Sequence, residues 1–245
     1  MIGATILRAR VTSRRVTRGD FGKTEAGLTG ARIENVRRHG KQIFVDLDSG
    51  LLYIHLGMTG KLLWNATPGK YTRARLDLDR GLLLFDDIRQ FGRFEYLPQG
   101  REEINKGPDA LTVSFETFLS RLKRHRGAIK AVLLNQSCVA GVGNIYADEI
   151  LFAAKIHPRA PVSRISPRRI KIIHANLIEI LQMAVEHRGS SISDYVDSAG
   201  KAGEFQNLHN VYGRAGEPCP RCGTRIRRIV VGQRGTHYCP RCQRV

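Results

Sequence analysis

The chain has 245 residues, enough for one large domain or two small ones with a buried core. Hydrophobic residues make up 42% and charged residues 25%, a composition typical of soluble globular proteins rather than disordered or fibrous ones. No apolar run reaches about 18 residues, which excludes a membrane-spanning helix. The N-terminus lacks the basic flank, apolar stretch and cleavage site of a signal peptide, so we expect a cytoplasmic protein.

The net charge is the clearest indication of a partner. Lys and Arg together number 40 against 22 Asp and Glu, which gives a formal charge of +18, and such a chain favours a polyanion. A solubilising surface or an anionic membrane would also explain the charge, but no Lys-rich amphipathic helix with an aromatic face is evident. We therefore interpret the charge as favouring nucleic acid.

Residues 1–104 are rich in predicted β-strands. Apolar runs of strand length lie at residues 43–48, 51–56, 74–79 and 82–85. The segments 48–50 and 79–81 combine Asp with Gly, which signals turns between neighbouring strands. Because polar and apolar residues alternate over 75–79, the sheet should be half exposed, and we predict a β-sandwich.

From residue 105 the pattern becomes helical, and residues 105–112 are expected to form a hinge. Helices are predicted from a cap at Ser114 to about Lys123, over 128–134, over 144–154, and from a cap at Ser166 to about His187. Residues 190–214 contain three glycines and no clear period. We predict a loop there, with the mobility that glycines permit.

Four of the five cysteines form two Cys-Pro-Arg-Cys pairs, at Cys219, Cys222, Cys239 and Cys242. The 16 residues between the pairs match the spacing of a zinc ribbon, in which a hairpin brings two thiolate pairs to one tetrahedral ion. A disulfide framework is the alternative, but a single clustered quartet without a signal peptide favours metal. Since sulfur would fill all four positions, we predict one structural Zn²⁺ ion.

The remaining cysteine and the arginines near the quartet have simpler interpretations. Cys138 stands alone and is interpreted as a buried thiol rather than a nucleophile. Between the cysteine pairs lie Arg225, Arg227, Arg228 and Arg234. This composition suits a hairpin that grips phosphates, and a solvated arginine face is the alternative.

Four motifs occur in order along the chain: His55-Leu-Gly-Met-Thr-Gly60, Asp87-Ile-Arg-Gln-Phe-Gly92, Gly141-Val-Gly-Asn-Ile-Tyr-Ala-Asp-Glu149 and Val211-Tyr-Gly-Arg214. With the cysteine quartet that follows them, they resemble the bacterial formamidopyrimidine-DNA glycosylase family. The resemblance runs in register from near Met1 to Val245, so we expect the whole chain to follow the family pattern.

The resemblance implies an α+β fold in four parts, with double-stranded DNA held in the cleft between them. The parts are a catalytic-type N-terminal β-sandwich at 1–104, the hinge at 105–112, a helix-two-turn-helix domain at 113–203 and a zinc-finger hairpin at 204–245. It also implies a monomeric, nucleoid-associated base-excision repair enzyme. Such an enzyme removes oxidised purines, such as 8-oxoguanine and formamidopyrimidines, and cleaves the abasic strand by β,δ-elimination.

The resemblance also assigns residues that contact DNA. An enzyme that flips a base out of a duplex must fill the gap it leaves. Met58, Arg89 and Phe91 match the family's three void-filling residues. Further DNA contacts are implied for Arg73, Arg126, Asn144 and Arg234. Arg73 stands where the family usually has histidine, and Asn144 lies at a glycine-rich helix start that suits an anion.

Strand cleavage requires an amine that forms a Schiff base and groups that move protons during elimination. Lys41 matches the family lysine that acts as proton donor for β-elimination, and Arg234 matches the residue assigned to δ-elimination. A surface lysine is the ordinary alternative for Lys41. His39 and His55 are expected to be structural, whereas the loop at 196–209 corresponds to the segment that closes over the flipped base.

The chain departs from the family at its start. Relatives begin with Pro-Glu-Leu-Pro-Glu-Val-Glu and a helix, and the proline amine is the nucleophile because its pKa of about 8 leaves more free base than a lysine at about 10.4. Met1 of this chain matches the strand after that helix. Either the recorded start is too late, which we favour, or the chain is a truncated homologue that binds damaged DNA without cutting it.

A third interpretation stays within enzymes of the same fold. The pyrimidine-preferring endonuclease VIII branch shares the sandwich and the zinc finger. That branch usually lacks a loop of the type Gly200-Lys-Ala-Gly-Glu-Phe205, which this chain contains. We therefore expect oxidised purines rather than pyrimidines as substrates.

Overall fold

The computed structural model describes residues 1–99, 106–192 and 195–244. The chain divides into two compact units, and each combines two stretches of sequence. The first unit contains Met1–Ile104 and Ser190–Gly203, and the second contains Asn105–Gly189 and Glu204–Val245. The predicted hinge starts at residue 105, which lies outside the described residues, so the division into four parts stays a prediction.

Eight antiparallel strands build two sheets in the described part of the first unit. They are β1 (Ile6–Val11), β2 (Ile33–His39), β3 (Gln42–Leu47), β4 (Gly50–His55), β5 (Gly60–Trp64), β6 (Thr72–Leu78), β7 (Gly81–Asp87) and β8 (Arg93–Leu97). One sheet has the order β1-β6-β7-β5 and the other β2-β3-β4-β8. Apolar residues from both sheets share one core, which includes Ile6, Leu52, Leu76, Phe85 and Phe94. The predicted sandwich is confirmed.

The predicted turns join the strands as expected. Residues 48 and 49 connect β3 to β4, and residues 79 and 80 connect β6 to β7. The glycine that ends each turn has a positive φ, 147° at Gly50 and 149° at Gly81, where a side chain would be strained. In β6, buried residues alternate with half-buried ones, as the sequence pattern predicts.

Two helices in the first unit were not expected from the sequence. They are α1 (Arg14–Thr17) and α2 (Phe21–Leu28). The second begins at a cap where the Asp20 carboxylate accepts the backbone N–H of Lys23 at 2.9 Å. Two glycines weaken its helical pattern, but a side chain at Gly27 would collide with the Tyr96 ring. Close packing against β8 therefore requires glycine at position 27. That glycine is one reason why the sequence pattern does not predict the helix.

Helices dominate the second unit at the positions that the sequence predicts. They are α3 (Phe115–Lys123), α4 (Ile129–Leu134), α5 (Asn144–Ala153) and α6 (Pro167–Glu186). Ser114 and Ser166 cap α3 and α6 by accepting backbone N–H groups three residues on, as predicted. The helices enclose a core around Phe118, Ile150 and Leu177. No helix in the described ranges is long and apolar enough to cross a membrane.

The C-terminal part of the second unit is a short hairpin of β9 (Arg227–Val231) and β10 (Arg234–Tyr238). The segment predicted as a loop before it contains one 3₁₀ turn, Phe205–Leu208. This segment contributes to both units. Residues up to Gly203 cluster with the first unit, where Trp64 N–H donates to the Ser198 carbonyl at 2.8 Å, and residues from Glu204 cluster with the second.

Candidate nucleic-acid interface and zinc centre

The four cysteines of the two Cys-Pro-Arg-Cys pairs meet at one end of the β9–β10 hairpin. Their sulfur atoms all lie within 4.8 Å of one another, with 3.9 Å between Cys219 and Cys242 and 3.5 Å between Cys222 and Cys239. Zinc–sulfur bonds of about 2.3 Å in a tetrahedron place sulfur atoms about 3.8 Å apart. The cluster therefore fits one zinc ion with four thiolate ligands. We call the two Cys-Pro-Arg-Cys segments together with β9 and β10 the zinc hairpin.

Buried polar contacts fasten strand β10 of the zinc hairpin to α4 and α5. The Lys130 ammonium is fully buried and donates to the Gly235 carbonyl at 3.0 Å and to Thr236 Oγ1 at 2.7 Å. Asp148 lies 2.7 Å from the same ammonium and accepts the His237 backbone N–H at 2.8 Å. Three consecutive residues of β10 thus have a fixed position relative to the helices.

This anchor brings two of the predicted DNA contacts together. The Asn144 amide at the start of α5 donates to the Gly235 carbonyl at 3.1 Å. Gly235 directly follows Arg234, whose side chain is exposed. The carbonyl of Arg234 in turn accepts the Thr236 hydroxyl at 3.0 Å. Asn144 and Arg234 therefore share one hydrogen-bonded platform.

The ion pair beneath that platform is isolated from water. Burial lowers the pKa of Lys130, and the adjacent Asp148 carboxylate opposes that shift. A buried charge without its partner would be strongly unfavourable. The pair therefore locks the zinc hairpin onto the helices only while both members are present.

In the first unit, the three residues expected to fill the void in DNA lie together. Met58 and Phe91 expose 67% and 57% of their surface, although both are large and apolar. The Arg89 guanidinium lies 4.6 Å from the centre of the Phe91 ring and 3.5 Å from the Met58 sulfur. We call Met58, Arg89 and Phe91 the plug. An exposed apolar pair around a cation is suited to entering a base stack.

A buried carboxylate holds the two loops that carry the plug. Asp87 is fully buried, and it accepts the Thr59 hydroxyl at 2.5 Å and the Gly92 backbone N–H at 2.8 Å. Thr59 Oγ1 also accepts the Arg89 backbone N–H at 3.1 Å. A side chain at Gly57 would lie 2.7 Å from the Phe91 backbone, so only glycine permits this approach.

Lys41 lies at the tip of the turn between β2 and β3, and its side chain is exposed. It lines a cavity of about 320 Å³ together with His55, Met58 and Tyr195. The cavity therefore joins the predicted proton donor to one member of the plug and to the segment after residue 190. His55 Nδ1 accepts the Gly57 backbone N–H at 3.1 Å, a contact that fits the structural role expected for it.

The other predicted residues lie apart from the plug and from the zinc hairpin, or on their edges. Arg73 donates from Nε to the Asp87 carbonyl at 2.9 Å, and its guanidinium lies 5.9 Å from the Tyr71 ring centre. Arg126 is exposed between α3 and α4. Lys41 and Arg234 belong to different units. Cys138 is fully buried, which confirms the predicted buried thiol, and burial raises the pKa of that thiol to about 11, which disfavours the reactive thiolate.

Sequence analysis missed the polar residues that support these side chains. Glu149 is buried on α5 and accepts the backbone N–H groups of Asn210, Val211 and Tyr212, each at 2.9 Å. Lys130 was likewise not singled out, and Asp148, Thr59 and Asp87 appeared only as members of the quoted motifs, without a role of their own. For Lys130, Asp148 and Glu149 the available signal was a charge inside an otherwise apolar helix, because such residues are rarely buried without partners.

A basic α+β protein with an exposed plug and a four-cysteine zinc hairpin belongs to the class of zinc-containing DNA-binding proteins. Three family models match the chain: the formamidopyrimidine-DNA glycosylase N-terminal domain over residues 1–94, the formamidopyrimidine-DNA glycosylase H2TH domain over 105–196, and the zinc finger found in FPG and IleRS over 216–245. The chain belongs to the formamidopyrimidine-DNA glycosylase family.

Individual relatives agree along the full length. The formamidopyrimidine-DNA glycosylase of Solibacter usitatus is 48% identical over 247 residues, which cover 100% of this chain and 94% of the relative. A variant of the Lactococcus lactis FPG, solved with DNA that contains Fapy-dG, superposes with a TM-score of 0.91 at 34% identity. A MutM complex with carbocyclic 8-oxo-G DNA gives 0.89 at 34%. Each superposition covers 100% of this chain and 94% of the solved chain.

Proposed function

We propose that this chain is a base-excision repair glycosylase and AP lyase that acts on formamidopyrimidine and 8-oxoguanine in double-stranded DNA. The observation that carries the proposal is the plug, because two large apolar side chains exposed around a guanidinium have no packing role of their own. Membership of the family and the lesions held by its solved relatives agree with this substrate class.

Excision begins when the damaged nucleotide leaves the stack. In our proposal, Met58 and Phe91 replace the stacking that the flipped base loses, and the Arg89 guanidinium donates hydrogen bonds to the orphaned partner base. The Arg89 guanidinium already contacts both Met58 and Phe91 before DNA binds. Because little ordering remains to be done, the binding free energy can offset the unstacking.

Phosphate binding is assigned to side chains on both units. Asn144 and Arg234 share the platform on the zinc hairpin, where the glycine-rich start of α5 offers backbone N–H groups to an anion. Arg126 adds an exposed cation on the second unit, and Arg73 a half-buried one on the first. These contacts would fix the register of the duplex without reading its sequence.

Strand cleavage is assigned to Lys41 and Arg234. After a Schiff base has formed at the sugar, Lys41 would supply the proton for β-elimination, and Arg234 would promote the δ step. The zinc ion, held by the four cysteines, supplies no chemistry in this scheme, because four thiolates leave no open position for water. Its part is to fix the hairpin that carries Arg234.

The decisive experiment is borohydride trapping on a duplex with one 8-oxoguanine. The protein purified from its natural source is used, and its N-terminal residue is sequenced first, since the family's nucleophile is an N-terminal proline amine. A trapped covalent adduct with strand products of β,δ-elimination is expected. Binding without adduct or nicking would instead identify a non-catalytic damaged-DNA-binding zinc protein. Faster excision of thymine glycol would point to the pyrimidine branch.

The same proposal gives roles to three of the four predicted parts and would place the protein at the nucleoid, where its substrate lies. The sandwich would carry the plug, Lys41 and the phosphate contact at Arg73, whereas the helical part and the zinc hairpin would supply the other phosphate contacts. Binding should weaken steeply with salt, since each neutralised phosphate releases counterions. Titration of a fluorescent duplex at several salt concentrations measures this slope.

A further inference from the structure

Ser13 occupies the N-cap position of α1 but does not cap it. Its backbone is extended, as a capping residue requires, yet its side chain makes no hydrogen bond to the helix. The hydroxyl instead donates to Gln90 Oε1 at 2.6 Å, across 77 residues of sequence. Only 6% of Ser13 is exposed. Its side chain therefore serves the loop that contains Gln90 rather than its own helix.

Gln90 lies between two members of the plug, Arg89 and Phe91. Its φ is 56°, in the left-handed region where a residue with a side chain is strained. Such strain persists only where surrounding contacts hold the backbone in place, and it concentrates at functional sites. Here the conformation turns the chain so that the Arg89 guanidinium lies against the Phe91 ring, 4.6 Å from its centre.

Neighbouring contacts hold the two ends of this loop. Thr59 Oγ1 accepts the Arg89 backbone N–H at 3.1 Å, and the Asp87 carboxylate accepts the Gly92 N–H at 2.8 Å. The Ser13 hydroxyl holds the strained residue between them. Its position is set by α1, which packs against β8 in the same unit.

We propose that Ser13 is a positioning residue for the plug: its hydrogen bond to Gln90 keeps the loop in the strained conformation that presents Arg89 and Phe91 to the gap in DNA. The inference rests on the proposed function of the plug. Ser13 lies outside the four motifs that carry the family resemblance, so no role follows for it from them. Its loss would let Gln90 relax and would separate the guanidinium from the ring.

The test compares binding to two duplexes, one with a tetrahydrofuran abasic analogue and one undamaged. Only the first contains a gap for the plug. The variants Ser13→Ala, Gln90→Ala and their combination are measured in the full chain. Ser166→Ala is the matched control, because it removes a real helix cap from the second unit. A 2-aminopurine base opposite the abasic analogue reports whether the orphaned base is contacted.

Ser13→Ala should weaken binding to the abasic duplex about fivefold, which is the factor that corresponds to the loss of one hydrogen bond. It should weaken binding to the undamaged duplex less than about twofold. The 2-aminopurine signal should change in parallel. Since both residues act through one bond, the double variant should also lose about fivefold rather than about 25-fold. Ser166→Ala should leave the ratio between the two duplexes unchanged.

Two results would overturn the inference: a Ser13→Ala variant in which the ratio of binding between the two duplexes is unchanged, or multiplicative losses in the double variant. Failure of the role proposed for the plug has a different signature. In that case the unaltered protein would itself bind the two duplexes equally, before any substitution at Ser13 is considered.

Discussion

The plug and the zinc hairpin both carry exposed groups, for which we propose DNA contacts, but they do so on two different kinds of support. Beneath the plug lies one buried carboxylate, Asp87, which accepts uncharged donors from Thr59 and Gly92. Beneath β10 of the zinc hairpin lies a buried ion pair between Lys130 and Asp148, next to a metal site. The hydrogen bonds beneath the plug can be removed one at a time. The ion pair beneath β10 stabilises the hairpin only while both charges are present.

The difference follows from what each region can bury. The plug loops join strands of a sandwich with a large apolar core, so a few hydrogen bonds suffice to orient them. The zinc hairpin has a small core around Phe152, Val211 and Ile226, which is too little to hold it without a metal or charges. Substitutions in the two regions should therefore differ in size and in kind.

Zinc removal should have the largest effect. Chelation is expected to unfold the zinc hairpin and to abolish lesion binding, because structural zinc contributes about 10 kcal/mol or more to folding in small metal domains. The strands of the sandwich should survive, since their core contains no metal ligand. Circular dichroism and proteolysis, with zinc release followed by a colorimetric chelator, measure both parts. Loss of the sandwich on chelation would contradict the comparison.

Lys130→Met should come next, at about 3–5 kcal/mol, because it leaves the Asp148 carboxylate buried without a countercharge. Thermal unfolding measures the loss. Adding Asp148→Asn removes the orphaned charge and keeps an acceptor for the His237 N–H, so the double variant should recover much of the stability. If both variants are equally unstable, the ion pair is not what holds β10.

Thr59→Val should cost about 1–3 kcal/mol, since it leaves an oxygen of buried Asp87 without its donor. It should also weaken binding to an abasic duplex more than to an undamaged one, because the Arg89 N–H loses its acceptor. Thr236→Val is the matched substitution in the zinc hairpin. Both threonines are buried, but the Thr236 change should reduce binding to the two duplexes equally.

Ser114→Ala should have the smallest effect, about 1 kcal/mol, because it removes only the cap of α3. Urea unfolding should detect it, and excision of 8-oxoguanine should not change. A loss of excision larger than the loss of stability explains would show that α3 takes part in DNA binding. DNA binding would then not be confined to the plug and the zinc hairpin.

Local sequence patterns determined much of this protein. The two cysteine pairs, the caps at Ser114 and Ser166, and the turns at 48–50 and 79–81 each depend on residues a few positions apart, whose geometry the backbone itself dictates. The resemblance added the plug, although Arg89 and Phe91 lie 31 and 33 positions after Met58. For these features the physical signal is contained in a short window or in a recognisable motif.

Only the tertiary structure decided which buried polar groups support those features. Ser13 and Gln90 are 77 residues apart, and Lys130 and Thr236 are 106. No pattern in sequence marks such a pair. Even where a charge inside an apolar helix indicates a buried partner, as at Lys130, the sequence does not say which distant residue that partner is. The helix α2 is a similar case, since Gly27 is explained only by the ring of Tyr96. Packing between distant segments supplies the hydrogen-bond partner in the first two cases and excludes a side chain at Gly27 in the third. Neither effect leaves a pattern in the neighbouring sequence.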